Sequence, residues 1–539
     1  MSQASEQITL KPPHRGLVPT TLIFCVVAFS LYVSHISGSL PYPHHVDEEA
    51  IIGPARQILV TGNFHPQEFN YPSLPRYLAA VGLAVGFIRA APEDGVTDIQ
   101  QIGSVSYPYY GVPTAVETTK QLFALFSVIG LAATAMMSWS ITGRLGAVVM
   151  GLMFLMASEL YFRHSWQYLN VDIVGTCFVM LTVASCLAAT QRSSITRAAV
   201  IPAFWAGLAA ASKYTLGLVF LPVLLGVWMY QDSDRRLAST CVSVLTVCLT
   251  FLAAVPYALL DLPAFLNGLA FDAWHYRTGH IGFDGEIGLA QLHYYANHFV
   301  NEFGLFGIGL AVIGIVAALR RDWRRTVLFF AFPVILLTLL TGQRVHFTRN
   351  VLPIHPLFAI MIGYGFVVCY ELCTRWFTQL HSRLRGPLAQ LAVLVGLLAV
   401  VFPTARLVDQ ATVTPDSRNL ARDWLTQNMP AGWTVVLPSQ LGFDTRALKD
   451  EDFLVDEVSI TTLLDQRKLM ARLEGQVVAL VPIWDVDGRY DSTVSPDEIN
   501  KTTAGKRVLA EFGSNPILLN YKRAPGTAWG DPQFLVIAP

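Results

Sequence analysis

Apolar runs of roughly 20 residues recur along the whole chain, and that recurrence limits the possible folds more than any other feature. A run of that length crosses a hydrocarbon core of roughly 30 Å as a helix. Lipid offers the backbone no hydrogen-bond partner, so a crossing segment must be a helix or part of a closed barrel, and unbroken apolar runs are helices. Such runs lie at 17–36, 122–141, 145–161, 172–190, 199–211, 215–230, 237–256, 299–319, 326–341, 351–372 and 388–404. Composition agrees: 53% of the 539 residues are hydrophobic and 14% are charged, against about 25% charged in soluble domains. The net charge of -1 gives no electrostatic footprint for nucleic acid. The run at 17–36 lacks a small-residue cleavage site and is followed by many others, so it reads as a retained helix. Cys25, Cys177, Cys186, Cys241, Cys248, Cys369 and Cys373 fall in or beside apolar runs without metal-ligand spacing. None follows Cys373, so the last segment is expected to fold without disulfides.

Lysine and arginine between the runs set the orientation, because short loops rich in them stay in the cytoplasm. They cluster at 11–15, Arg144, Arg192 with Arg197, Arg235 with Arg236, 320–325, and Arg375 with Arg383 and Arg385. Consecutive clusters must then be separated by an even number of crossings. A further apolar stretch at 74–90 breaks that parity; it is short and contains Arg76, so it is assigned to the outer surface. The expectation is a polytopic α-helical membrane protein of about eleven transmembrane helices. Its amino terminus would be cytoplasmic and its carboxyl terminus extracytoplasmic, in an inner or plasma membrane. The boundaries drawn are a transmembrane domain at 1–404, with outer-surface loop helices at 43–90, and a soluble α/β domain at 405–539. Within the latter, Asp416 or Ser417 caps a helix with Leu420, Trp424, Leu425 and Met429 at helical spacing. Strands are expected at 433–437, 477–481 and 534–537, and the polar 92–119 stretch reads as an outer loop.

This topology gathers the unusual polar residues on the outer side. The first loop carries His44, His45, Asp47, Glu48 and Glu49, expected as a short helix at 48–60, then a Thr-Gly-Asn turn and an extended Asn70-Tyr71-Pro-Ser-Leu-Pro run. Carboxylates at a helix start are favoured by its dipole, so simple N-capping is an alternative role for any one of them. Other outer loops supply Arg163 and Asp172, then Lys213, then Asp272, His275, Arg277 and His280, then Arg344, His346 and Arg349. Ionisable groups against a bilayer are expensive unless paired or wet, which marks this collection as a candidate site, with snorkelling to headgroups as the bland alternative. Cations beside carboxylates suit a substrate that carries phosphate next to a group needing deprotonation.

VDEE after the first helix, NYPSLPRYL, Asp172 at a helix start, ASKYTLGLVFLP, and RVHFTRNVLPIHPLFAIMIGYG together resemble successive landmarks of GT-C glycosyltransferases. The group most similar is that of the protein O-mannosyltransferases and lipid A aminoarabinose transferases, glycosyltransferase family 39 and its bacterial cousins. The resemblance implies a GT-C fold and an inverting transfer of one sugar from a polyprenyl-phosphate donor to a hydroxyl acceptor on a protein, lipid or glycan. It implies Asp47 as general base, Asp172 at the family's second outer acidic position, and Arg349, Arg344 and His346 as holders of the leaving phosphate; Glu48, beside Asp47, is counted with Asp47 and Asp172 among the candidate catalytic residues. Where aminoarabinose transferases have His-Lys-Pro-Pro, this chain has Asn70-Tyr71-Pro72-Ser73, so that lysine is missing and Lys213 or Arg277 is a candidate substitute. Asn70, Tyr71, His275 and His280 complete the expected substrate loops. No redox cofactor is needed; a divalent metal at Asp47, Glu48, His44 or a loop histidine stays open, although no pair has diagnostic spacing. A multi-helix transporter with an outer accessory domain is the alternative, and it predicts charges midway along the apolar runs and two related halves. A non-catalytic scaffold would leave the outer charges unused.

Overall fold

A computed structural model describes residues 15–43, 46–103, 111–189, 194–280, 283–379, 382–411, 415–439, 442–459, part of 462–482, 504–512 and 534–538. The chain is mostly helical, with a small sheet at its carboxyl end. Among the described residues, eight helices are long and apolar enough to cross a bilayer, or nine if Leu145–Met156 and Glu159–Trp166, bent by 68°, form one broken span. The expected count of about eleven also included 199–211 and 215–230. These are the short helix Ile201–Ser212 and a 3-10 turn, Tyr214–Val219, running into Phe220–Tyr230. The run at 388–404 lies inside the long helix Ser382–Ala411.

Close helix packing comes from glycine. At Gly82 and Gly86, Ser73–Asp94 approaches Pro113–Thr142 so nearly that a Cβ would stand 2.8 Å from Thr119 Cα and 2.5 Å from Ala115 Cα. Gly314 and Gly365 do the same between Leu289–Arg321 and His355–Gln379, where an added Cβ would meet main-chain oxygens at 2.0 and 1.9 Å. Small residues that let backbones touch are the usual cement of helices in lipid.

Three local expectations change. Ser73–Asp94 is 22 residues long and passes the same length and hydropathy test as the crossings, so shortness does not set it apart. Its Arg76 is no headgroup anchor: only 1% exposed, it donates to the carbonyls of Ala50 (3.1 Å), Pro66 (3.3 Å) and Glu68. The extended run ends at Pro72, because prolines fit a first helical turn and Pro75 is already inside the helix. The 92–119 stretch is also less loop-like than expected, since Gln100–Gly103 and the start of Pro113–Thr142 are helical.

The carboxyl-terminal sheet contains β1 (Thr434–Pro438), β2 (Leu454–Val458), β3 (Val477–Pro482), β4 (Arg507–Phe512) and β5 (Phe534–Ala538) in the order β2-β1-β3-β5-β4. β1 pairs in parallel with β2 and β3, whereas β5 is antiparallel to β3 and β4. The amphipathic helix Ser417–Asn428, capped by Asp416, lays Ala421 and Leu425 on Val435, Leu437 and Leu480. This domain grips the segment just before Asp47. Asn419 donates to the Leu40 carbonyl at 2.7 Å, and the Arg418 guanidinium lies 3.7 Å from the centroid of the buried Tyr42 ring.

Candidate active site

Asp47 sits on a one-turn 3-10 helix, Val46–Glu48, that opens into Glu49–Thr61. The tight turn sends the three carboxylates in different directions. Asp47 pairs with Arg349 and accepts a hydrogen bond from the Tyr71 hydroxyl at 3.1 Å. Glu48 is fully buried and pairs with Lys120 at 3.2 Å. Glu49 pairs with Arg56 at 2.7 Å, and burial raises its carboxyl above the ordinary range against the pull of that guanidinium. Glu48 makes no side-chain cap bond, so capping of the helix start is not its role.

Four other segments bring their groups to Asp47. The 3-10 turn Thr348–Ile354 carries Arg349, whose guanidinium lies 4.7 Å from the Phe347 ring centroid. Lys213 ends Ile201–Ser212 in an extended conformation and bonds to Asp172 (2.7 Å) and to Asn350 (2.8 Å). The loop stapled by Arg76 presents Asn70 and Tyr71; burial raises the Tyr71 phenol, so it stays protonated and donates. The helix Leu262–Thr278 presents Asp272, His275 and Tyr276 on one face. Its register is fixed from below, because the Arg344 amide donates to the Tyr276 carbonyl at 3.0 Å.

Together these segments enclose a cavity of about 350 Å³ lined by Asp47, Asn70, Tyr71, Lys213, Asp272, His275, Tyr276, His280, Phe347 and Arg349, among others. Burial pushes the Asp272 carboxyl up to about 7, against the pull of Lys213. Burial and the nearby Arg349 charge lower the His275 imidazole. His280 stands edge-on to His275 at 5.1 Å and to Phe347 at 5.3 Å.

Of the residues expected at a site, Asp47, Asn70, Tyr71, Lys213, His275, His280 and Arg349 line this cavity, and Asp172 stands directly behind Lys213. The rest do not. Glu48 points into the core. Arg277 is exposed. Arg344 pairs with Asp284 at 3.1 Å on the surface, and His346 stacks on Tyr294 at 3.9 Å. Arg163 pairs with Glu159 on its own helix at 2.6 Å. His44 and His45 lie outside the described residues. Among the described residues no three histidine, cysteine, aspartate or glutamate side chains converge on a point where a metal could sit. Sequence reasoning left Lys120 and Asn350 out of the polar framework. It saw Asp272 only as one polar loop residue, although its spacing from His275 and Tyr276 on a helix marks a shared face.

No protein-family model and no curated protein sequence matches the chain. Solved structures do match. ArnT from Cupriavidus metallidurans in the apo state superposes with a TM-score of 0.50 at 13% identity, over 97% of this chain and 98% of that one. ArnT from the same organism bound to undecaprenyl phosphate gives a TM-score of 0.51 at 14% identity, over the same shares. The chain therefore shares the fold of these ArnT structures, in a multi-pass membrane protein.

Proposed function

We propose that the protein is an inverting glycosyltransferase that moves one sugar from a polyprenyl-phosphate carrier to a hydroxyl acceptor at the extracytoplasmic face of its membrane. The observation that carries this activity is the pairing of Asp47 with Arg349, 302 residues apart, on the wall of one cavity that Lys213 also enters. A base and two cations around one space match a reaction that deprotonates a hydroxyl while expelling phosphate. That an ArnT structure of the same fold is bound to undecaprenyl phosphate supports this class of donor.

In this mechanism Arg349 and Lys213 bind the donor phosphate, each already held by a carboxylate. A phosphate arriving at Arg349 competes with Asp47 for that guanidinium, which leaves Asp47 free to take a proton. Asp47 removes the acceptor proton as the oxygen attacks the anomeric carbon from the face opposite the phosphate. The carbon–oxygen bond to phosphate breaks, its electron pair leaves with the polyprenyl phosphate, and the anomeric centre inverts. Phosphate is already a competent leaving group, so alignment and charge neutralisation supply most of the acceleration. Glu48, buried on Lys120, fixes the turn that aims Asp47. The residues assigned here need no metal, and transfer that survives exhaustive chelation is the expected outcome.

The direct test uses purified protein in lipid nanodiscs with undecaprenyl phosphate bearing a hexose or pentose, and with a small polyol such as glycerol or a membrane extract supplying the acceptor hydroxyl. Release of undecaprenyl phosphate that depends on Asp47 and Arg349 is expected. Release that proceeds at the wild-type rate in Asp47→Asn would remove Asp47 from the mechanism.

A further inference from the structure

Among the described residues, Asp272 is the one carboxylate on the cavity wall that the proposed mechanism does not use. Asp47 is paired with Arg349, and Asp172 behind the wall with Lys213. No side chain among the described residues donates a hydrogen bond to Asp272 or forms an ion pair with it. Yet it is held in a partly enclosed place by a rigid helix, one turn from His275 and Tyr276. A carboxylate partly withdrawn from water without a donor carries a cost, and such a cost persists where a ligand supplies the donors.

We infer that Asp272 is the residue that recognises the sugar of the donor, accepting hydrogen bonds from its hydroxyl or amino groups. The assignment rests on the donor reading given above. Its position favours the donor sugar over the acceptor: Asp272 feels the Lys213 charge, and Lys213 is one of the two cations that would hold the phosphate. The group attached to that phosphate is the sugar. The rings of Phe271, Tyr276 and Tyr214 stand on the same cavity wall, and aromatic faces beside a carboxylate are a surface that sugars satisfy on both counts. Burial that leaves Asp272 titrating near neutrality is consistent with a group whose donors arrive with the ligand.

The test compares two lipids on wild type and Asp272→Asn in nanodiscs: bare undecaprenyl phosphate, and undecaprenyl phosphate bearing mannose, glucose or arabinose. Wild type is expected to bind one of the sugar-bearing lipids more tightly than the bare lipid. Asp272→Asn should keep its affinity for the bare lipid within about twofold and bind the preferred sugar-bearing lipid about 10- to 100-fold more weakly, the range for losing a charged hydrogen bond. Retained affinity for the bare lipid shows that the cavity is intact; if the asparagine variant does not retain it, Asp272→Ser is measured the same way. A folded variant that keeps the wild-type preference, or loses both lipids equally, overturns the role of Asp272 alone. A wild type that binds bare and sugar-bearing lipids alike overturns the transferase reading and this role with it. A variant whose kcat falls while both affinities stand would make Asp272 a proton carrier and end its role as a sugar-recognising group.

Discussion

Asp47 and Glu48 are consecutive carboxylates on one 3-10 turn, and each meets a cation from a distant part of the chain. Asp47 keeps 22% of its side chain exposed, on the cavity wall, against Arg349; Glu48 keeps none, against Lys120. A pair beside a wet cavity can exchange partners with a ligand. A sealed pair cannot, because separating it strands a charge in low dielectric. The difference separates chemistry from architecture at neighbouring positions: the outer pair is available to a phosphate and a proton, and the inner pair fixes the direction in which the outer one points.

Neutralising each partner in turn is the way to break this comparison. The largest effect is expected from Asp47→Asn, which should lose about 10²- to 10⁴-fold in transfer while its thermal melting stays near wild type. Lys120→Met should do the reverse, costing about 3–5 kcal/mol of stability because Glu48 is left buried and uncompensated, as read from melting in detergent. Adding Glu48→Gln to Lys120→Met should recover part of that loss, since both charges are then gone. Equal melting for the single and double variants would show that Glu48 and Lys120 are not coupled.

Asp272 sharpens the contrast through pH. Its carboxyl is raised from 3.8 to about 7 by burial, opposed by Lys213, with His275 on the same helix face and Tyr214 near it in the cavity lining. Below about pH 4 both folded and unfolded chains hold the proton and the group contributes nothing. As pH rises from there to 7 the unfolded chain releases it first, so the folded state loses stability, and the full penalty stands above 7. Asp272→Asn removes that penalty. Its melting temperature should therefore exceed wild type by more at pH 8 than at pH 5, and an equal gain at both would dismiss the shift.

Much of the fold could be read from the sequence, for identifiable reasons. The long apolar runs gave most of the membrane-length helices, and three of the five described strands lie where β-branched residues cluster. The two strands that escaped notice, β2 and β4, are the edges of the sheet, where LVDEV and RVLAEF carry charges that blunt an exposed edge and erase the apolar pattern. At the site, the sequence places Asp47, Lys213 and Arg349 as candidates in separate loops, and in the fold the three line one cavity. What could not be read was direction. Three adjacent acidic letters do not say that a 3-10 turn will send them to three different cations, nor that Lys120, just past the stretch read as an outer loop, turns into the protein core from the 30-residue helix Pro113–Thr142.

The smallest effect separates Arg344 from Arg349, which a run of basic letters made look alike. The Arg344 side chain is 51% exposed and pairs with Asp284, which is 35% exposed, so the pair is worth at most about 1 kcal/mol. What Arg344 contributes is main chain: its carbonyl accepts from the Gly285 amide at 3.0 Å and from Gln291 at 2.6 Å, and its amide donates to the Tyr276 carbonyl. Those bonds tie the 283–288 loop and Gln291 of the helix after it to the helix that carries Asp272, and none needs the guanidinium. Arg344→Ala should then transfer sugar within about twofold of wild type and melt within about 1 kcal/mol of it. Arg349→Ala should lose the bare undecaprenyl phosphate as well as turnover. If Arg344→Ala instead weakens lipid binding as severely as Arg349→Ala does, the phosphate reaches the surface loop, and the boundary drawn between cavity and surface lies in the wrong place.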